Sequence, residues 1–114
     1  MERKIMRGEI YYSDLDPVIG SDQGGFRPVL VVQNNKGNRY SPTVVIVPIT
    51  SRLGKHNIPT HVRLSSMYLP KDSIAMLEQI RTIDKTRIKE CIGELSNENM
   101  KLVENALVIS VGMD

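Results

Sequence analysis

An arginine at the mouth of an apolar run is the first residue in this sequence whose placement could do chemistry. Arg27 sits in Gly20-Ser21-Asp22-Gln23-Gly24-Gly25-Phe26-Arg27-Pro28, directly ahead of Val29-Leu30-Val31-Val32. Its guanidinium is always protonated, and the planar fork presents two parallel donors to a phosphate. Thr50 closes a second apolar run that starts at Thr43, and its hydroxyl can add one more hydrogen bond. Such a pair suits a reaction that asks little of the protein. RNA carries its own nucleophile, the 2′-hydroxyl, beside its own electrophile, the phosphate. A catalyst need only align that oxygen, move a proton and stabilise the charge building on the phosphoryl oxygens. Plainer readings stand beside this one. An Arg before a Pro is commonly a solvated surface residue, Gly-Gly a turn needing positive φ, and a terminal Thr a simple β-former.

Other chemistries lack their residues. His56 and His61, the only histidines, lie five apart with no Cys or carboxylate close by, whereas a closed zinc site needs about four ligands. No metal and no cofactor is expected. The single cysteine, Cys91, cannot form an internal disulfide and is expected as a core thiol on the apolar face of a helix. There is no Walker-type loop, nucleophile elbow or dinucleotide fingerprint.

The elements that must carry Arg27 and Thr50 are strands. At 114 residues the chain is expected to be one domain, residues 1–114. Glu9–Leu15, Pro28–Gln33 and Thr43–Thr50 read as strands, with Thr60–Leu64 and Ser73–Ile83 supplying the last ones. Asn34–Pro42 is dense in turn formers, and 51–59 reads as a polar, basic loop. Pro48 cannot donate to a ladder, which marks an edge or bulge near the end of its strand. The final third reads as helical. Ile88, Cys91, Ile92 and Leu95 fall at helical spacing behind Asp84 as N-cap, and Met100, Val103 and Leu107 form the stripe of a second helix capped by Ser96 or Asn97. Short strands followed by helices predict an α+β fold, a small β-barrel or curled sheet with helices packed on it.

Charge is segregated. No Asp or Glu occurs from Gln23 through Lys71, a stretch that carries seven Lys and Arg; beyond it, eight acids face five bases. A cationic segment on strands and loops is what a polyanion needs, although acids gathered on solvated helices would produce the same count. No run of residues is apolar enough to span a bilayer, and the charged N-terminal residues do not form a signal sequence, so a cytoplasmic location is expected.

Residues 7–34 (RGEIYYSDLDPVIGSDQGGFRPVLVVQN), the stretches GNRYSPTVVIVPIT and PTHV, and DSIAMLEQIRTIDKTRI resemble the MazF/PemK family of toxin endoribonucleases from bacterial toxin–antitoxin systems. The resemblance implies an SH3-like β-barrel with appended helices, of the MazF and CcdB kind, forming a homodimer. It implies metal- and ribosome-independent cleavage of single-stranded RNA at a short motif, leaving 2′,3′-cyclic phosphate and 5′-hydroxyl ends. It also implies a MazE-type antitoxin whose C-terminal tail occupies the RNA groove. Arg27 and Thr50 fall on the family's catalytic positions, and residues 20–25 on a loop that closes over the phosphate. Ser21, Asp22, Gln23, Asn34, Ser73 and Gln79 fall where bases are read, while Arg52, Lys55, Pro59 and His61 flank the backbone path. The wording is similar to the branch that cuts at U-A-C-A-U. Two alternatives stay open: a CcdB-like toxin that binds DNA gyrase without turnover, and a basic RNA-binding module. The CcdB role is expected to use C-terminal residues, and this chain ends Val108–Asp114 without an aromatic terminus.

Overall fold

Runs of β-branched and aromatic residues build most of the molecule. The structure is a computed structural model describing residues 4–17, 20, 24–51, 58–69 and 73–113. Seven strands and two helices follow in order: β1 (Glu9–Asp14), β2 (Phe26–Val31), α1 (Asn35–Tyr40), β3 (Thr43–Thr50), β4 (His61–Leu64), β5 (Ser73–Met76), β6 (Arg81–Asp84), β7 (Ile88–Glu94) and α2 (Asn97–Ser110). All strand pairs are antiparallel. The sheet runs β4-β5-β3-β2-β1-β7, and β6 joins it as a second neighbour of β3. It is a curled sheet that stays open among the described residues, with α2 laid across one face.

Alternation along each strand divides the apolar residues between two faces. Ile10, Leu30, Val47, Ile49, Val62, Leu64 and Ala75 meet Met100, Val103 and Ala106 of α2 in one core. Tyr11, Val29, Val31, Val44 and Ile46 point the other way and pack with Ile5, Ile83, Ile88 and Cys91. β2 and β3 contribute to both cores, which is why each reads as a continuous apolar run.

Pro48 is buried in the interior of a central strand, not at an edge. β6 pairs with β3 from Thr43 to Ile46, β5 takes over at Ile49 and Thr50, and Pro48 falls in the gap between the two partners. A residue without an N–H is tolerated where the ladder changes hands. The expected stretch Ser73–Ile83 is accordingly two strands, β5 and β6, separated by a 3-10 turn at Leu77–Gln79.

The expected helix over Ile88–Leu95 is strand β7. Its pairing with β1 slips twice: Ser13 faces Ile88, Tyr11 faces Cys91, and Ile10 faces Gly93. Each slip inserts an extra residue, so Ile88 and Cys91, three apart, reach the same core. Two bulges thus imitate helical spacing. Cys91 is a half-buried thiol on a strand, and Asp84 caps only the 3-10 turn Lys85–Arg87. The Thr86 N–H and hydroxyl, 2.9 and 2.8 Å from Asp84 Oδ1, hold that carboxyl below its ordinary range.

Asn34–Pro42 holds a helix where turns alone were expected. Asn34 Oδ1 accepts the Gly37 N–H at 2.8 Å as N-cap of α1, and buried Asn38 donates to the Gln33 carbonyl at 2.9 Å. Lys85 Nζ donates to the Asn38 carbonyl and pins α1 to the 3-10 turn. α2 is capped by Ser96, whose hydroxyl accepts the Asn99 N–H at 3.2 Å, as the sequence predicts.

Gly93 permits a close approach of a side chain to β7. A Cβ there would lie 2.2 Å from Cγ of the Tyr68 ring, and the backbone φ is +156°. Gly93→Ala must push the ring off β7, and we expect a loss of about 1–3 kcal/mol. Urea unfolding reads this as a lower midpoint, and an unchanged midpoint would show that the ring moves freely.

Candidate active site

The start of β2 and the end of β3 share one end of the sheet. Their ladder pairs Val31 with Ile46, Leu30 with Val47 and Val29 with Pro48. Carried two residues further, the same register sets Arg27 across from Thr50, and residues facing each other in a ladder project from the same side. On its other flank Arg27 faces Ser13 of β1. Burial of Val29 and Val31 below it fixes which way Arg27 points.

Arg27 is half-buried, and its Nε donates to the Gly24 carbonyl at 2.7 Å. That bond holds the guanidinium plane by its inner nitrogen. Among the described residues the two terminal nitrogens have no hydrogen-bond partner, so the fork is presented outward. Thr50 is buried at the last position of β3.

The segment between β1 and β2 is stitched shut at its neck. Leu15 N–H donates to the Gly25 carbonyl at 2.9 Å, and Gly25 N–H donates to Asp16 Oδ1 at 2.9 Å. Gly25 has φ +78°, which brings its N–H to that carboxylate at no steric cost. Two arginines that sequence reasoning passed over tie down the near side. Arg81 Nη1 donates to the Leu15 carbonyl at 3.3 Å and Arg87 Nη1 to the Asp16 carbonyl at 2.8 Å. Only their position after the acid-free stretch sets them apart in the sequence. Their partners are backbone atoms some seventy residues earlier, which no local pattern encodes.

The clip makes Asp16 a positioning residue for Arg27. Asp16→Ala frees the Gly25 N–H and loosens the Gly24 carbonyl that anchors Arg27 Nε. We expect kcat for RNA cleavage to fall roughly ten-fold, because small misplacements near reacting atoms are expensive. KM stays near wild type, and Asp16→Asn, which keeps the Oδ1 acceptor, restores the rate. Equal loss in both variants would show that the carboxylate charge matters instead of the clip.

The other expected site residues divide into three groups. Ser21, Asp22, Gln23, Arg52 and Lys55 lie outside the described residues. His61 opens β4 with Nε2 2.7 Å from Glu78 Oε2, while Glu78 Oε1 accepts the Thr60 hydroxyl at 3.0 Å. Glu78 therefore places a carboxylate beside the cationic stretch. Pro59 is exposed in the turn just ahead, and half-buried Gln79 closes the 3-10 turn after β5. Ser73 is only 1% exposed, so its hydroxyl faces protein. Asn34 follows the far end of β2, roughly 24 Å along the strand direction from Arg27 at 3.4 Å per residue. Its Oδ1 is committed to the α1 cap, leaving the amide nitrogen as its outward group.

A cleft of about 630 Å³ also lies away from Arg27, at the Thr43 end of β3, with Lys4, Arg39, Lys85 and Lys89 in its wall. No cluster of three potential metal ligands occurs among the described residues, and no helix among them is long and apolar enough to cross a membrane.

The family profile described as PemK-like, MazF-like toxin of type II toxin–antitoxin system matches residues 6–111. The chain belongs to this family. Endoribonuclease MazF of Staphylococcus saprophyticus is 54% identical over 111 residues, spanning 96% of this chain and 92% of its own. A mycobacterial endoribonuclease solved with its cognate antitoxin superposes with a TM-score of 0.81 at 28% identity, covering 96% of this chain and 97% of that one. MazF from Deinococcus radiodurans reaches a TM-score of 0.86 at 25% identity, over 98% and 100% of the two chains. The PemK/MazF match spans every strand among the described residues and all of α2. These similarities favour a MazF-type toxin over a CcdB-like gyrase poison.

Proposed function

We propose that the protein is a toxin endoribonuclease that cuts single-stranded RNA at a short motif, and that the facing placement of Arg27 and Thr50 carries the chemistry. The 2′-hydroxyl oxygen attacks the adjacent phosphorus, the bond from phosphorus to the 5′-oxygen breaks, and the products are a 2′,3′-cyclic phosphate and a 5′-hydroxyl. The proton lost from the 2′-oxygen is balanced by the one gained at the 5′-oxygen. Arg27 stabilises the charge on the non-bridging oxygens through its outward fork, and Thr50 adds a hydroxyl at the same phosphate. A guanidinium with a free pKa above about 12 is a poor base, so charge stabilisation is its larger part.

The remaining parts of the reading have separate supports. A MazE-type antitoxin fits the mycobacterial relative, which was solved with its own. A homodimer fits α2 and the residues just after it, which expose Leu102, Ile109, Val111 and Met113. Cytoplasmic action fits a lone half-buried thiol and an RNA substrate. The motif we propose is U-A-C-A-U, from the wording of the sequence.

The experiment is cleavage of a long single-stranded RNA in EDTA by antitoxin-free protein, with fragment ends mapped. Cuts at one motif bearing 5′-hydroxyl ends support the reading. Intact RNA would overturn it and make gyrase inhibition the next assay.

A further inference from the structure

The register that sets Arg27 across from Thr50 continues over two more strands. Thr50 pairs with Ile74 of β5, and Ile74 pairs with Arg63 of β4. Ser13, Arg27, Thr50, Ile74 and Arg63 thus form one cross-strand row. Residues facing each other in a ladder project from one side, so Arg63 stands on the same side of the sheet as Arg27 and Thr50. Burial agrees: Val62 and Leu64, on either side of Arg63, point into the core under α2, and Arg63 itself is exposed. The interval from Arg27 to Arg63 is three strand spacings, about 14 Å at 4.8 Å per strand, so Arg63 meets a different phosphate from the one at Arg27.

The filling of the row matters as much as its direction. Ile74, between Thr50 and Arg63 in the row, is buried and carries no charge of its own. His61, two residues before Arg63 on the same side, already shares its Nε2 with Glu78. Arg63 is therefore the exposed fixed positive charge of β4. It also lies within the stretch from Gln23 to Lys71 that lacks any acid.

We propose that Arg63 is a backbone-phosphate contact for the nucleotides flanking the cleaved bond, setting the path of the RNA across β3, β5 and β4. It positions substrate without touching the scissile phosphate. The inference rests on the ribonuclease reading above and adds a direction to it: the flank held by Arg63 leaves the site toward β4.

Arg63→Gln and Arg63→Lys are compared with wild type on a single-stranded RNA oligonucleotide carrying the mapped motif with flanks on both sides. Lys101→Gln, an exposed α2 cation on the other side of the sheet, controls for net charge. We expect Arg63→Gln to raise KM several-fold with kcat within two-fold of wild type. The slope of log affinity against log salt should flatten by about 0.7, the loss of one phosphate contact to a single strand. Arg63→Lys should recover most of the affinity, Lys101→Gln should behave as wild type, and trimming one flank should erase the difference. An Arg63→Gln variant with unchanged KM and salt slope, or one impaired in kcat alone, overturns the proposal. Binding to the same oligonucleotide with a 2′-deoxy group at the scissile position is measured in parallel. If wild type binds this oligonucleotide but leaves the all-ribose one uncut, the Arg63 effect is still read in binding while the nuclease reading fails by itself. A wild type that neither binds nor cuts overturns both.

Discussion

Arg27→Ala lowers kcat for RNA cleavage by roughly two to three orders of magnitude, about 2.7–4 kcal/mol of transition-state stabilisation, as for loss of one aimed donor at a developing oxyanion. The structure gives the reason for so large an effect. Arg27 is anchored by a single 2.7 Å bond from Nε to the Gly24 carbonyl, so its outward nitrogens are set in place before substrate arrives. Preorganised donors need no rearrangement as charge develops, which makes them strong where substrate excludes water. Arg27→Lys keeps the charge but loses both the Nε anchor and the parallel donors, and it stays strongly impaired. Single-turnover kinetics on the mapped oligonucleotide separate the chemical step from binding. A lysine variant near wild-type rate would remove the bidentate argument. Unfolding curves matching wild type show that the loss lies in the site and not in the fold.

Leu30→Ala is the most damaging core substitution we expect, at about 2–5 kcal/mol. Leu30 is fully buried next to the last position of β2, paired with Ile10 on one side and Val47 on the other, in the core that α2 covers. Truncation removes contacts to both neighbouring strands at once, and the ladders on both sides prevent the backbone from closing the gap. Against a total of about 5–15 kcal/mol for an ordinary domain, this is a large share. Urea unfolding should show a lower midpoint with an unchanged slope. A loss below about 1 kcal/mol would mean that α2 settles into the cavity and that the core is softer than its burial implies.

Strands β2 and β3 and the helix α2 with its Ser96 cap were legible in the sequence, and Arg27 and Thr50 stood out there as candidates. Each depends on residues close together in the chain: an apolar run of strand length, a stripe at helical spacing behind a serine, an arginine between glycines and a buried strand. Those signals are local, and the physics behind them is local. β7 was not legible, because two bulges against β1 place Ile88 and Cys91, three residues apart, in one core exactly as a helix would. α1 was hidden by its own turn formers, which act as caps and contacts once Lys85 arrives from the other side of the fold.

The site followed the same division. Residue type made Arg27 a candidate phosphate ligand, and the family resemblance proposed Thr50 as its companion. That the two face each other, that Arg63 lies in line with them, that Ser73 is buried and that Asn34 sits at the far end of β2 are all consequences of strand register. Register is chosen by burying both faces of a curled sheet at once, among residues as distant as Ser13 and Ile88. The sequence by itself determined which chemistry this chain can perform and which runs become its central strands. Only the tertiary structure decided which side chains stand together, because a shift of one residue in any ladder would turn every one of them to the opposite face.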